Sequence, residues 1–375
     1  MPRIRKSVSI SIILMLALTG LLAASASSSA HVPIYDSGGP DMKSSLHIPD
    51  PSASYATYAE FEKNAINGIQ FYSLTVPAGQ EQYIELDVPS VYDLFAPILM
   101  LIGPSLPQPN ESTAYLLDFF ELNLTSGQGA LSWNYTGPLN EEEFEPFTQV
   151  VLLKRQSVNV TLPDDGTYYI AVARSAAVFG PNDSIIVREA KYILVTGSLE
   201  KFTVLDYILI PYDWVKGHLF WNENPIIFLM PTYLITVGGL AFTAFMRRSR
   251  PSSSAVGPKR REQTVFYAAL GGGLLMVAGG VNQLMFLFGN PLFSLGIGET
   301  IVLMLQAIGI VLGAFAIRLS FTFMKPAKWL RILVSALILV VALIVGAGFI
   351  VGPILFFAAA IFGTYMFRSK ATLSS

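Results

Sequence analysis

Hydrophobic and polar positions follow two different rhythms along this chain. In the first half, short apolar runs alternate with turn residues. Residues 71–76 (FYSLTV) end at Pro77-Ala78-Gly79, and 83–88 (YIELDV) alternates strictly. The run 98–102 stops at Gly103-Pro104, and 150–153, 157–162, 167–173 and 190–196 continue the pattern. Short apolar segments with a period of two, bounded by Pro, Gly and Asp, predict β-strands. Many such strands predict an antiparallel, jelly-roll-like β-sandwich. Residues 55–66 read as one short amphipathic helix. Asp164-Asp165-Gly166 reads as a hairpin turn; as a metal site it would have only two carboxylates.

In the second half the apolar runs lengthen. Stretches at about 225–246, 265–288 and 301–324 are each long enough to cross about 30 Å of hydrocarbon at 1.5 Å per residue. A fourth, 332–367, is too long for one crossing. Gly346-Ala347-Gly348 and Gly352-Pro353 interrupt it, so it reads as a helical hairpin with spans at 332–346 and 349–367. The expected architecture is a multi-domain membrane protein, an all-β sandwich followed by an all-α bundle of five crossings. The domains are a signal peptide at 1–30, a β-sandwich at 31–201, an aromatic connector at 202–222 and a transmembrane domain at 223–375.

Charge gives this layout an orientation. The chain is 52% hydrophobic and only 13% charged, against about 25% charged in soluble domains. Residues 31–222 hold 9 Lys and Arg against 23 Asp and Glu, a net of −14; residues 223–375 hold 12 against 3, a net of +9. A single soluble domain, a basic nucleic-acid binder and a disordered chain are thereby excluded. Arg3, Arg5 and Lys6 precede an apolar run and the small-residue stretch 24–30, a secretory signal with cleavage after Ala26 or Ala30. With the acidic domain outside, five crossings place Arg247, Arg248, Arg250, Lys259, Arg260, Arg261, Arg318, Lys325, Lys328, Arg331, Arg368 and Lys370 on the cytoplasmic side, as the positive-inside rule requires. The expected location is the cell membrane, with the N-terminal domain extracytoplasmic and the C-terminus cytoplasmic. Five Asn-x-Ser/Thr sequons, at Asn110, Asn123, Asn134, Asn159 and Asn182, all lie in the acidic part and are glycosylation candidates. There is no cysteine, so the exported domain must be held by its core alone.

The order FYSLTVPAGQEQYIELDVP, LMLIGP, LPDDGTYYIAVA, YILVTG resembles the pre-peptidase C-terminal domain, a small β-sandwich appended to secreted enzymes and surface proteins. The likeness spans residues 65–197, with an insert between Ser105 and Gln149. The strand before LMLIGP, often Asp-rich in that family, holds one acid here, Asp93. The resemblance implies a binding or spacing role rather than catalysis.

Chemistry-bearing residues are few. The three histidines are His31, His47 and His218. Cleavage after Ala30 would make His31 the mature terminus, whose amine and imidazole form a two-nitrogen chelate; a second imidazole from His47 or His218 would complete a copper site. Glu141, Glu142, Glu143 and Glu145 form an acidic cluster, read as a solvated loop, with calcium as the metal that would suit it. Asn282, Gln283 and Gln306 are the deep polar groups of the apolar tail, expected to hydrogen-bond between helices. Gly271–Gly273, Gly309/Gly313 and Gly348/Gly352 would let helices pack closely, within the chain or between copies. No Gly-x-Ser-x-Gly, His-Glu-x-x-His or phosphate-loop motif occurs, so no enzyme activity is indicated. The sequence thus predicts a cell-surface protein that binds a ligand or partner outside, or an accessory subunit of an envelope complex. Its partners would be lipid, other envelope proteins or a second copy, and not nucleic acid. An extracytoplasmic copper protein and a transporter component built on the three amides are the alternatives.

Overall fold

The computed structural model describes residues 31–61, 68–90, 95–134, 142–145, 148, 150–174, 190–221, 223–249, 260–289, 297–323, 329–344 and 351–372. The signal segment, Glu141, Asn182, Gly346-Ala347-Gly348, Asp93, Lys259, Lys325 and Lys328 lie outside the described residues. The chain divides into two compact units, one of Met1–Glu145 and Val150–Phe202, the other of Pro146–Gln149 and Thr203–Ser375.

The first unit contains eleven described strands: β1 (Val32–Ile34), β2 (Leu46–His47), β3 (Tyr55–Phe61), β4 (Ile69–Val76), β5 (Glu81–Pro89), β6 (Ile98–Pro104), β7 (Gln128–Trp133), β8 (Glu142–Glu145), β9 (Val150–Thr161), β10 (Gly166–Ala173) and β11 (Ala190–Thr196). They form a six-stranded sheet in the order β1-β3-β11-β5-β9-β8 and a five-stranded sheet in the order β2-β4-β10-β6-β7. Most pairings are antiparallel; β1 with β3 and β2 with β4 are parallel. One core cluster takes Phe61, Leu86 and Leu194 from the first sheet and Leu74, Leu101 and Ile170 from the second. The unit is therefore sandwich-like, two sheets packed face to face. A helix, α1 (Glu111–Phe119), covers the far side of the five-stranded sheet. Its Leu116 and Leu117 join Phe71, Met100 and Ala171 in a second cluster.

Three local expectations are corrected. Residues 55–61 are strand, not helix: Tyr55 to Phe61 pairs with β1 on one side and β11 on the other, and small Ala56 and Ala59 fit between neighbours where a helix would expose both flanks. Asp164-Asp165-Gly166 is not a hairpin turn. It joins β9 to β10, which belong to different sheets, so the turn carries the chain across the sandwich. The acidic residues Glu142 to Glu145 are not a loop but the edge strand β8, paired to β9. Charge on an edge strand discourages further strand addition.

Some polar groups inside the sandwich are paired across it. The Tyr72 and Tyr192 hydroxyls, one from each sheet, lie 2.7 Å apart. Tyr192 also donates to Gln70 Oε1, whose Nε2 donates to the Glu60 carbonyl at 2.8 Å. Both tyrosines are wholly buried, and burial pushes both hydroxyls above their ordinary range.

The second unit is helical. α2 (Val204–Phe220) starts at a capping box in which Thr203 and Asp206 bond each other's backbone, a reciprocal satisfaction of two free helix-start donors. α3 (Pro225–Ser249), α4 (Arg260–Gly289), α5 (Ile297–Ser320), α6 (Trp329–Ile344) and α7 (Val351–Thr372) follow. Three segments, Pro225–Arg248, Arg260–Phe288 and Val302–Ser320, are long and apolar enough to cross a membrane; Leu330–Leu343 and Val351–Tyr365 are shorter apolar helices. α4 is central and packs on α3, α5 and α7. Its approach to two neighbours depends on glycine. A Cβ on Gly272 would sit 2.6 Å from the Gly352 carbonyl of α7, and one on Gly313 of α5 would sit 2.9 Å from the Gly273 carbonyl. These glycines are engaged inside the chain.

Tyr192→Phe removes a hydroxyl that serves both Tyr72 and Gln70. It should cost about 1–3 kcal/mol in chemical denaturation, the range for stranding a buried polar partner. Tyr115→Phe, at an exposed position on α1, should be neutral.

Candidate functional site

The three histidines lie on different elements. His31 precedes β1, and its Nδ1, the ring nitrogen that would chelate with an adjoining amine, lies 2.5 Å from Ser54 Oγ. His47 is exposed on β2, in the other sheet from β1. His218 belongs to the second unit, fully buried in α2, with Nδ1 2.9 Å from Glu223 Oε2. Among the described residues, no three of His, Cys, Asp or Glu are grouped so that they could hold a metal ion.

Four sequons can be placed. Asn110, Asn123, Asn134 and Asn159 are all exposed. Asn110 has a second role as the N-cap of α1, where its Oδ1 accepts the Thr113 backbone N–H at 2.8 Å. The cap uses the oxygen and leaves the amide nitrogen, the atom a glycan would take, to solvent. Across the helix start, Thr113 Oγ1 lies 2.8 Å from Ser132 Oγ of β7, so this cap positions α1 on the sheet.

A polar group of residues that sequence reasoning did not single out lies on one face of the β5–β9 pair. Register sets Glu85 opposite Ser157 and Tyr83 opposite Asn159. Lys154 Nζ is 2.7 Å from Glu85 Oε2. Tyr83 donates to the same carboxylate and accepts from Ser157 Oγ at 3.0 Å. Burial, with Glu85 beside it, pushes the Tyr83 hydroxyl up to about 12. The signal was the alternation itself: Ile84, Leu86 and Val88 point to the core, so Tyr83 and Glu85 share the other face. Near the end of the sandwich, Lys201 and Ser52 hold the Asp50 carboxyl down to about 2; the Lys201–Asp50 distance is 2.8 Å.

The amides of the helical unit divide. Gln306 Nε2 of α5 donates to Gln283 Oε1 of α4 at 3.0 Å, an interhelical bond. Asn282 is fully buried, and neither its oxygen nor its nitrogen has a partner among the described residues. Aromatic contacts mark both ends of the helices, with an arginine at one of them. The Arg247 guanidinium, in the last turn of α3, lies 4.4 Å from the Phe266 ring centroid, near the start of α4. Phe266 in turn meets Phe321 just beyond α5. At the other end, Phe228 of α3 meets Phe286 of α4.

Compared with known proteins, the chain matches no protein-family model and no curated protein.

Replacing Asn110 separates its two roles. Asn110→Asp keeps an accepting oxygen at the cap and should leave thermal stability within error while abolishing any glycan there. Asn110→Ala should cost about 1 kcal/mol, read as a lower melting temperature of the unglycosylated protein.

Proposed function

We propose that this chain is a multi-pass cell-surface protein whose acidic, sandwich-like unit lies outside the membrane and binds a ligand or an envelope partner. The observation that carries this reading is the pairing of a complete β unit with a separate helical unit in one chain, the helical unit containing three helices of membrane-crossing length. The resemblance to the pre-peptidase C-terminal domain points the same way, towards binding or spacing. So does the gathering of the sequons in the β unit, where four described ones are exposed. Five crossings, with α6 and α7 as a hairpin, would put every basic residue of the tail on the inner side.

The α2 helix has a face suited to a membrane surface. Leu205, Leu209, Tyr212 and Leu219 are exposed along one face, at the spacing of a helical stripe. Lys216 lies on that face, its ammonium 5.0 Å from the Tyr212 ring centroid. An apolar stripe with a cation beside it, on a helix separated by four residues from an apolar helix, suits the outer lipid surface. No observation favours catalysis.

The binding reading is tested by placing a photo-crosslinking amino acid at Tyr83, Asn159 or Ser126 and irradiating native membranes. Discrete adducts to one extracytoplasmic protein or glycan are expected from at least one position. The same probe at Tyr365, on the outer surface of α7, should give lipid adducts only. No adduct from any position on the β unit would count against a binding role.

A further inference from the structure

The seam between α3 and α4 contains polar atoms that have no protein partner among the described residues. They are His218 Nε2, both side-chain polar atoms of Asn282, Thr232 Oγ1 and Thr236 Oγ1. His218 and Asn282 are fully buried and Thr232 is 8% exposed. Orphaned buried donors and acceptors are rare in folded proteins, and each calls for a physical account.

The two helices run antiparallel, and contacts at both ends of the seam fix their register. Phe228 meets Phe286 at 6.2 Å between centroids, and a Cβ on Gly239 would lie 2.7 Å from Leu274. Counting inwards from those two contacts sets Thr232 level with Asn282 and Thr236 level with Ala278. His218 stacks on Phe228 at 5.1 Å and contacts Phe286 at 5.2 Å, so its ring lies over the first turn of the same seam. The orphaned groups therefore form one row rather than scattered defects.

Their chemistry narrows the occupant. His218 Nδ1 is engaged with Glu223 Oε2 at 2.9 Å, and Nε2, a donor or an acceptor according to the tautomer, has no partner among the described residues. Asn282 offers two donors and an acceptor, and each threonine hydroxyl offers both. The row has no anion of its own, because Glu223 is spent on the other imidazole nitrogen. One imidazole with neutral oxygens is a poor set for a divalent metal. Beyond Thr236 the helices approach closely at Gly239 and Leu274. At its other end Glu223 is 30% exposed, which gives access from solvent.

We propose that this row is an internal hydration site. Bound water, which both donates and accepts, joins His218 Nε2, Asn282 and the Thr232 and Thr236 hydroxyls between α3 and α4. Buried water characteristically makes two to four bonds to polar groups that would otherwise be unsatisfied. The water would hold α2 to the α3–α4 pair at the aromatic end without any direct side-chain bond across the seam.

X-ray radiolytic labelling of the full-length protein in lipid nanodiscs tests this, because hydroxyl radicals form from the bound water and oxidise adjacent rings. Phe228, 1% exposed, should be oxidised several-fold faster than Phe356 and Phe266, both fully buried elsewhere in the unit. Asn282→Leu with Thr232→Val should bring Phe228 down to their level. Equal, negligible oxidation of all three rings in the wild-type protein would overturn the proposal, and this reading needs no variant to fold. Thermal unfolding gives an independent sign. Asn282→Leu lowers the melting temperature if it breaks a water network, and raises it if it merely removes a dry, unpaired amide. A rise would also overturn the site.

Discussion

A polar group taken out of water must find a partner, and that constraint accounts for most of what this chain does with its few buried polar side chains. In the β unit the requirement is met by protein at the main cross-sheet groups, although Thr57 Oγ1, Gln82 Oε1 and Thr196 Oγ1 have no partner among the described residues. Tyr72, Tyr192 and Gln70 satisfy one another across the two sheets, and Gln156 Nε2 donates to the carbonyls of Pro97 and Trp133 at 2.8 and 2.9 Å. Without cysteine, the sheets have no covalent tie. The tyrosine pair adds direction to a core that is otherwise nondirectional, because one hydrogen-bonded geometry fixes how the sheets face each other.

In the helical unit the same constraint is met differently. Most backbone groups are satisfied within each helix, as a chain in hydrocarbon would require. Side-chain polarity between helices then stands out in two places among the described residues. Gln283 and Gln306 pair directly between α4 and α5, whereas the His218–Asn282 row has no protein partner among the described residues. At Gly272, Gly273 and Gly313, α4 and its neighbours approach closely enough that a Cβ would meet backbone. Close glycine contacts and a hydrated seam are opposite solutions on one helix. The first brings backbones together, and the second leaves room between them.

Much of this was legible in the sequence where periodicity was strong. The period-two runs from 71 to 196 are strands, and the long apolar runs hold helices. Three kinds of feature were hidden. The small residues of β3 look helical, because Ala favours helices locally and only pairing with β1 and β11 overrides it. The helix α1 lies inside an insert, and α2 inside an aromatic segment. Their signals were caps rather than periodicity, Asn110 before one and Thr203 with Asp206 before the other. Sheet order was not legible, since two consecutive strands such as β9 and β10 read the same whether they form a hairpin or cross between sheets. The candidate site was less legible still. His218 looked like a polar residue near a membrane, and its burial among Trp214, Phe228 and Phe286 is set by tertiary packing that no local pattern encodes.

The account depends on the β unit and the basic helix ends lying on opposite sides of a membrane. The absence of native cysteine makes that directly measurable with single-cysteine variants and a membrane-impermeant maleimide on intact cells. Ser126→Cys, exposed in the β unit, should label fully in intact cells. Ser254→Cys, in the basic segment between α3 and α4, should label only after the membrane is permeabilised. Labelling of both from outside, or of Ser254→Cys alone, would contradict the proposed orientation and with it a role at the cell surface.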